Sequence, residues 1–347
     1  MDVTTVTDEA AVLHDGTTVH RLDGLAAESD HVHLGVAFRT LRRPAGELMC
    51  RFTTVNDVHF GEVEAGRIDD DPNGPIRRSA PGAEPYPEVM NHTAVAEMAA
   101  IAPAAVIVKG DLSTSGTEAE WAAFEACYRP AFGDRLKVVR GNHDAYAHQD
   151  AYAGDQWIEL PGLDVALFDT AIPGASTGMI TAEQLEWLDD HARATDVPVF
   201  VMGHHQQWIR GAGGSRSDDY FGLHPDCSDA LDALCVRRAN VIAYAAGHTH
   251  RHRVRPMTRS GVPSIEIGCT KDFPGTWAEY RVYEGGVMQV VHRMSSPDAL
   301  AWSESCRDLY SDFGVDYASY ALGTLAERCF VIDPRGSLPH PTNGGAP

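Results

Sequence analysis

An α/β fold with a largely parallel core is predicted by three observations. From Arg51 onward, apolar strand-like runs alternate with loops and helical patterns. Five of those runs end directly in polar residues able to bind metal: Asp57-Val58-His59, Gly110-Asp111, Gly141-Asn142-His143-Asp144, Gly203-His204-His205 and Gly247-His248-Thr249-His250. In open α/β sheets, ligands sit outside the carboxyl ends of the strands, so the second observation reinforces the first. The third is length: 347 residues are enough for a large core and one or two domains.

Taken in order, residues 1–49 read as a small N-terminal β region. Ala10–His14, Thr17–Leu22 and His31–Phe38 are strand-like, with Asp15-Gly16 and Asp23-Gly24 between them. At about 45 residues such a sheet is too small to stand alone and is expected to pack on the main domain. Residues 50–294 form the main domain. Its first strand is Arg51–Asn56. A Gly/Pro-rich loop over 61–87 carries a turn signal at Asp69–Gly74. Thr93–Ile101 is helical and Ala104–Val108 is a buried strand. Glu118–Phe132 is a helix with Trp121, Phe124 and Tyr128 facing the core, and Leu136–Val139 is a strand.

Val165–Phe168 is the next strand. Thr181-Ala182-Glu183-Gln184 is a capping box that opens a helix through Leu185, Leu188 and Ala192. Val197–Met202 is a strand, Gly211–Ser215 a glycine-rich loop, and Ser228–Ala239 a helix with Ser228 at its N-cap. Val241–Ala245 and Ser264–Ile267 are strands, and Tyr280–Tyr283 with Val287–His292 makes a hairpin. Residues 295–333 read as a helical C-terminal extension that either caps the domain or forms a homo-oligomer contact. The Pro/Gly/Asn-rich stretch 334–347 is expected to be a disordered tail.

Composition narrows the function. A hydrophobic fraction of 44% and a charged fraction of 22% are those of an ordinary globular protein. The net charge of -21 repels a phosphate backbone, so a nucleic-acid polymer is not the expected partner. Seven scattered cysteines without a C-x-x-C pattern read as buried thiols. The start of the chain lacks the basic and apolar regions of a signal peptide, and no apolar run approaches the ~18 residues of a membrane helix. A cytoplasmic protein with no membrane partner is expected.

The strand-end residues offer four imidazoles (His59, His204, His248, His250), two carboxylates (Asp57, Asp111) and one amide carbonyl (Asn142). Mixed nitrogen and oxygen donors suit Mn, Fe, Zn or Co rather than Ca. Each motif alone is commonplace. Five in this order at strand ends are not explained by turns and surface polarity.

The order D-x-H, G-D, G-N-H-D, G-H-H and G-H-x-H over residues 51–294 resembles the calcineurin-like metallophosphoesterase superfamily. Phe168–Gly174 followed by Gly178–Leu188 is similar to its class III cyclic-nucleotide phosphodiesterase branch. The resemblance implies a four-layer α/β/β/α sandwich and a binuclear metal centre. It places one ion on Asp57, His59 and His250, a second on Asn142, His204 and His248, and Asp111 between them. A hydroxide shared by the ions is the implied nucleophile. His143 is implied as the catalytic donor to the phosphoryl or leaving group, with Asp144 either orienting it or capping the turn. His205 reads as structural.

Gln206-Gln207-Trp208 departs from the prolines usual in this family. Leu112, not tyrosine, follows Asp111, so the tyrosinate-to-iron ligation of purple acid phosphatases is not expected. Phe60 serves either to stack on a base or to pack. Arg77 and Arg78 serve either to grip a phosphate or as solvated charge. Gly247 is expected to supply a tight turn. The function that follows is a metal-dependent phosphodiesterase acting on small esters of cyclic-nucleotide or glycerophosphodiester type. The alternatives are a phosphomonoesterase or nucleotidase and a catalytically silent binding protein of the same fold.

Overall fold

The computed structural model describes residues 1–68, 71, 73–211 and 214–334. The chain opens with β1 (Asp2–Val6), β2 (Ala10–Asp15) and β3 (Thr18–Asp23), then β4 (Asp30–His33) and β5 (Val36–Arg39). The main domain begins with β6 (Leu48–Val55), α1 (Tyr86–Ala100), β7 (Val106–Lys109), α2 (Glu118–Phe132), β8 (Leu136–Val139) and α3 (Asn142–Ala145). It continues through β9 (Gln156–Leu160), β10 (Leu163–Leu167), α4 (Ala182–Ala194), β11 (Val199–Met202), α5 (Pro225–Arg237), β12 (Val241–Ala246), β13 (Arg253–Pro256) and β14 (Pro263–Glu266). The last elements are β15 (Thr276–Tyr283), β16 (Gly286–Arg293), α6 (Pro297–Ser305), α7 (Tyr317–Leu322), α8 (Leu325–Arg328) and β17 (Phe330–Ile332).

Two six-stranded sheets face each other. One runs β13-β14-β12-β11-β10-β9 and the other β17-β16-β15-β6-β7-β8. Each is parallel only in part: β10-β11-β12-β14 in the first and β6-β7-β8 in the second. Antiparallel strands complete both, which the sequence reading of a largely parallel core understated. Between the sheets, Phe52, Ile107 and Val139 meet Val165, Phe200, Ala243 and Ile265. Helices α1, α2 and α6 cover one outer face through Met90, Met98, Phe124, Tyr128 and Ala299. Helices α4 and α5 cover the other through Leu188, Leu231 and Leu234. These are the four layers α/β/β/α.

Local chemistry sets the helix that bounds the site. Thr117 caps α2 by accepting from the Glu120 N–H, and the Glu120 carboxylate accepts from the Thr117 N–H in return. Phe124 and Tyr128 then bury the inner face. In α5 the expected cap is corrected: the helix begins at Pro225 with His224 at the N-cap. Ser228 is inside it, and its Oγ accepts from the Trp208 N–H at 3.0 Å.

The N-terminal residues do pack on the main domain. Val6, Ala11, Leu13 and Phe38 cover Met288, Val290 and Val331, joined there by Leu325 of α8. The strand read over 31–38 is a hairpin that turns at Leu34-Gly35. The C-terminal extension is not wholly helical: it ends in β17, which pairs with β16 and completes the sheet. The proposed tail, apart from Pro334, lies outside the described residues. So do Asp69, Asp70, Pro72, Ala212 and Gly213 of the two predicted loops.

Candidate metal centre

Strands β6, β7, β8, β11 and β12 all deliver chain to the same edge of the sandwich. The predicted residues follow them: Asp57 and His59, Asp111, Asn142, His204, then His248 and His250. All but His250 are buried, and His250 is 19% exposed. Five of these seven have a left-handed backbone: φ is 53° at Asp57, 47° at His59, 51° at Asp111, 68° at His248 and 54° at His250. Such a conformation costs a non-glycine residue ~1–3 kcal/mol, and it concentrates at functional sites. Here each reversal aims a donor at the centre, while the residue between Asp57 and His59, Val58, is buried in the core.

The loops hold one another in that shape. Val58 and His59 N–H both donate to the Asp111 carbonyl at 3.0 Å, and Gly247 N–H donates to the His204 carbonyl at 2.9 Å. The His248 N–H reaches both Asp57 oxygens at 3.2 and 3.1 Å. Gly141 is required by proximity, since a Cβ there would lie 2.2 Å from Asp111 Oδ1. A tight turn does start at Gly247, where Thr249 N–H donates to its carbonyl at 2.8 Å. Its φ is not positive, and glycine is needed because a Cβ would lie 2.7 Å from Asn56.

The donor atoms converge. His204 Nε2 lies 3.0 Å from Asn142 Oδ1 and 3.3 Å from Asp111 Oδ2, and His59 Nε2 lies 3.5 Å from that same oxygen. His250 Nε2 lies 3.6 Å from Asp57 Oδ1. The Lys109 carbonyl accepts the Nδ1 proton of His204 at 2.8 Å. Nε2 of that ring therefore faces two acceptors, an arrangement that requires a cation: a proton or a metal ion. Both ring nitrogens of His59 and Nε2 of His248 are buried without a hydrogen-bond partner. Buried polar atoms are rarely left so. Asp57, His59 and His250 form one group with metal-binding spacing, Asp57, Asp111 and His204 a second, and His204, His205 and His248 a third. This donor set fits two transition-metal ions.

Electrostatics agree with that fit. Burial, then the charge of Lys271 and His143, hold His59 well below its ordinary pKa. Burial, then His205 and His204, do the same to His248. Both rings are thereby neutral, the form that binds metal. Burial would raise Asp111, but His204 and His143 beside it win and hold it well below the carboxylate range. Against the cost of burial, Asp111 lifts His204 to about 9.

Of the two roles read for Asp144, capping the turn is the one found, through the Gly141 N–H, and Asp144 does not orient His143. Its carboxylate is fully buried and accepts from the N–H groups of Leu112, Ser113 and Gly141 at 2.9–3.0 Å, from Ser113 Oγ at 2.6 Å, and from Trp121 Nε1 at 3.3 Å. It pins the Asp111 loop to the Asn142 loop. His143 is held instead by the Thr114 carbonyl, 2.9 Å from Nδ1, and its N–H donates to Asp111 Oδ1 at 3.0 Å. Phe60 packs in the core against Phe124. Arg77 is bidentate to Asp308 and Arg78 pairs with Glu64, so neither is turned to a phosphate. His205 engages Thr170 Oγ1 through Nδ1 at 2.8 Å, and its Nε2 stands beside the cluster.

Sequence reading missed Lys109. It is fully buried, with Nζ 3.1 Å from Thr54 Oγ1 and 2.9 Å from Asn56 Oδ1, and burial pushes it down to about 7. The signal was a lysine closing an otherwise apolar strand, a residue type almost never fully buried without a purpose.

Among known proteins, the chain is 22% identical over 194 residues to a probable cyclic nucleotide phosphodiesterase of Synechococcus sp., spanning 53% of this chain and 74% of that one. It is 30% identical over 117 residues to a cAMP/cGMP dual specificity phosphodiesterase of Mycobacterium tuberculosis, covering 30% of this chain and 36% of the relative. In fold it is similar to a dimetal phosphatase of Danio rerio, with a TM-score of 0.53 at 15% identity over 71% of this chain and 97% of that one. It is likewise similar to a purple acid phosphatase from yellow lupin seeds, with a TM-score of 0.50 at 13% identity over 80% and 60%. The calcineurin-like phosphoesterase family matches residues 50–252, the span that carries all seven converging donors, and the chain belongs to that family.

Proposed function

We propose that the protein is a di-metal phosphodiesterase for small phosphodiesters of cyclic-nucleotide or glycerophosphodiester type. The observation that carries this reading is the shared carboxylate. Asp111 Oδ2 stands 3.5 Å from His59 Nε2 and 3.3 Å from His204 Nε2, and so joins two donor groups. Asp57, His59 and His250 would hold one ion and Asn142, His204 and His248 the other, with Asp111 placed between the two groups. Mn, Fe or Zn suits these donors. When bound, the pair supplies a water activated near neutral pH and neutralises charge on the phosphoryl oxygens.

The remaining steps belong to the chain. Lys109 fixes Asn56, whose amide also meets the Ile267 and Gly268 carbonyls, and so steadies the neighbouring Asp57. With its Nδ1–H donated to the Thr114 carbonyl, His143 turns Nε2 to the site, and in its imidazolium form that atom would give its proton to the leaving oxygen. Similarity to two cyclic-nucleotide phosphodiesterases supports the diester, and the net charge of -21 supports a small ester over a nucleic-acid polymer.

A phosphoester panel on metal-quantified protein tests the reading. Bis(p-nitrophenyl) phosphate is expected to be hydrolysed faster than p-nitrophenyl phosphate once Mn, Fe or Zn is loaded. Asp111→Ala is expected to lose bound metal and more than about a hundredfold in kcat/KM, beyond the effect of removing an outer partner of a ligand. A faster monoester would make the protein a phosphomonoesterase. Absence of both metal and turnover would leave a silent binding protein.

A further inference from the structure

We infer that Phe221 is the specificity residue of this site, a platform on which a planar aromatic group of the phosphoester stacks. The inference rests on the reading of the centre as a phosphoester site. Phe221 lies on His248 with ring centroids 3.9 Å apart and planes 28° apart, yet 52% of the residue is exposed. One face is thus spent on a ring of the cluster and the other is open to solvent beside it.

Its position is built. The Gln206 side-chain amide donates to the Phe221 carbonyl and lies 3.5 Å from the Tyr220 hydroxyl. Leu223 N–H returns to the Gln206 carbonyl at 2.8 Å, and Gly178 N–H holds the Gly222 carbonyl at 2.8 Å. Gly222 has φ 152°, and a Cβ there would lie 2.7 Å from the Gln206 side chain. Gln206 opens the Gln206-Gln207-Trp208 stretch in which this sequence departs from its family pattern. The departure therefore has a structural consequence: it fastens an aromatic ring over the metal cluster.

Two more exposed aromatics contact residues of the site, one just after α3 and one on α7. Tyr146, 39% exposed, lies 4.9 Å from the His143 ring and accepts from Asn142 Nδ2 at 2.6 Å. Tyr320, also 39% exposed, donates to the Thr249 carbonyl at 3.0 Å from the C-terminal extension. An exposed aromatic face beside the donors favours a flat ring over an alkyl chain, because every aryl group or nucleobase offers a π-face.

The test is equilibrium binding to metal-loaded protein of two matched pairs: phenylphosphonate with methylphosphonate, and adenosine 5′-phosphate with ribose 5-phosphate. The aromatic member of at least one pair is expected to bind about tenfold tighter, within the range a single aromatic–base stack gives. The pair that shows the gap tells an aryl from a nucleobase ligand. Phe221→Ala and Gln206→Ala are expected to close the gap without changing methylphosphonate affinity or metal content, and Phe221→Tyr to keep it. The inference is overturned if neither pair shows a gap in the parent protein, or if the gap survives Phe221→Ala. It is also overturned if Phe221→Ala weakens all four ligands alike with loss of metal, which would make Phe221 a prop for His248. A Phe221-dependent gap without diester hydrolysis would overturn the phosphodiesterase reading and leave this one standing.

Discussion

The metal cluster and the N-terminal β layer are both buried regions of one chain, and they are built on opposite principles. At the cluster, five non-glycine residues sit at positive φ, and His59 and His248 keep buried nitrogens without partners. In the N-terminal layer, Val6, Leu13 and Phe38 close over Met288, Val290 and Val331. Its polar groups are matched as well: Thr5 Oγ1 donates to the Val291 carbonyl at 2.7 Å, and Arg328 donates to the Thr4 and Val3 carbonyls at 3.1 and 2.6 Å. The first region holds strain and unmet bonding capacity that a ligand can satisfy. The second satisfies itself. Substitutions in the first should therefore show mainly in activity and metal binding, and those in the second in stability.

The largest expected effect is at His143. His143→Ala should keep bound metal, because His143 contacts Asp111 through its main-chain N–H, while turnover falls ~10²–10⁴-fold. Metal analysis alongside kcat decides it. Loss of metal with turnover would move His143 into the ligand set and blur the contrast.

Asp144 follows, because it is the point where the self-satisfied style enters the site. Asp144→Ala strands three N–H donors, a hydroxyl and an indole N–H in the interior. Stability should drop by at least ~3 kcal/mol in urea unfolding, and metal affinity by ~10–100-fold. An unchanged urea midpoint would mean that the Leu112 and Gly141 loops are held by other contacts.

His14 tests the other region. Its ring is buried in the N-terminal layer, 2.8 Å from Thr4 Oγ1. Burial, then Arg293 and Arg21, lowers its pKa to about 3. The unfolded chain takes up that proton near pH 6.5 and the folded chain does not, so stability is lost as pH falls from about 6.5 towards 3. Between pH 7 and pH 5 the loss is ~2 kcal/mol. His14→Phe should flatten that part of the urea-midpoint profile relative to the parent, and parallel profiles would show that the layer adjusts to a charged ring.

The same contrast explains what was legible in the sequence. All seven donors were readable because each follows a strand that is recognisable locally and enters a motif two to four residues long. Helix α2 was readable because Trp121, Phe124 and Tyr128 recur at helical spacing within eight residues. For Asp144 the turn cap was legible because Gly141 is three positions away, whereas its partners Leu112, Ser113 and Trp121 lie more than twenty positions away and were not. β17 was missed because three residues carry no periodicity until β16 is beside them. Phe221 was invisible for the same reason: nothing in Tyr220-Phe221-Gly222 points to His248. Local patterns specify the site's donors, and long-range packing specifies what surrounds them.

The smallest expected effect separates backbone strain from function. Leu34 has φ 49°, nearly that of His59 at 47°, but it sits at the tip of the β4–β5 hairpin and is 59% exposed. Asparagine tolerates this conformation better than leucine. Leu34→Asn should leave activity unchanged and stabilise the fold by no more than ~0.5 kcal/mol, the usual range for an exposed substitution. His59→Asn, with the same backbone relief, should instead lose metal, because what it removes is an imidazole aimed at Asp111. If both changes proved equally silent, the left-handed residues of the cluster would be mere turn geometry. If only His59→Asn were damaging, the strain there is retained for the donor it aims.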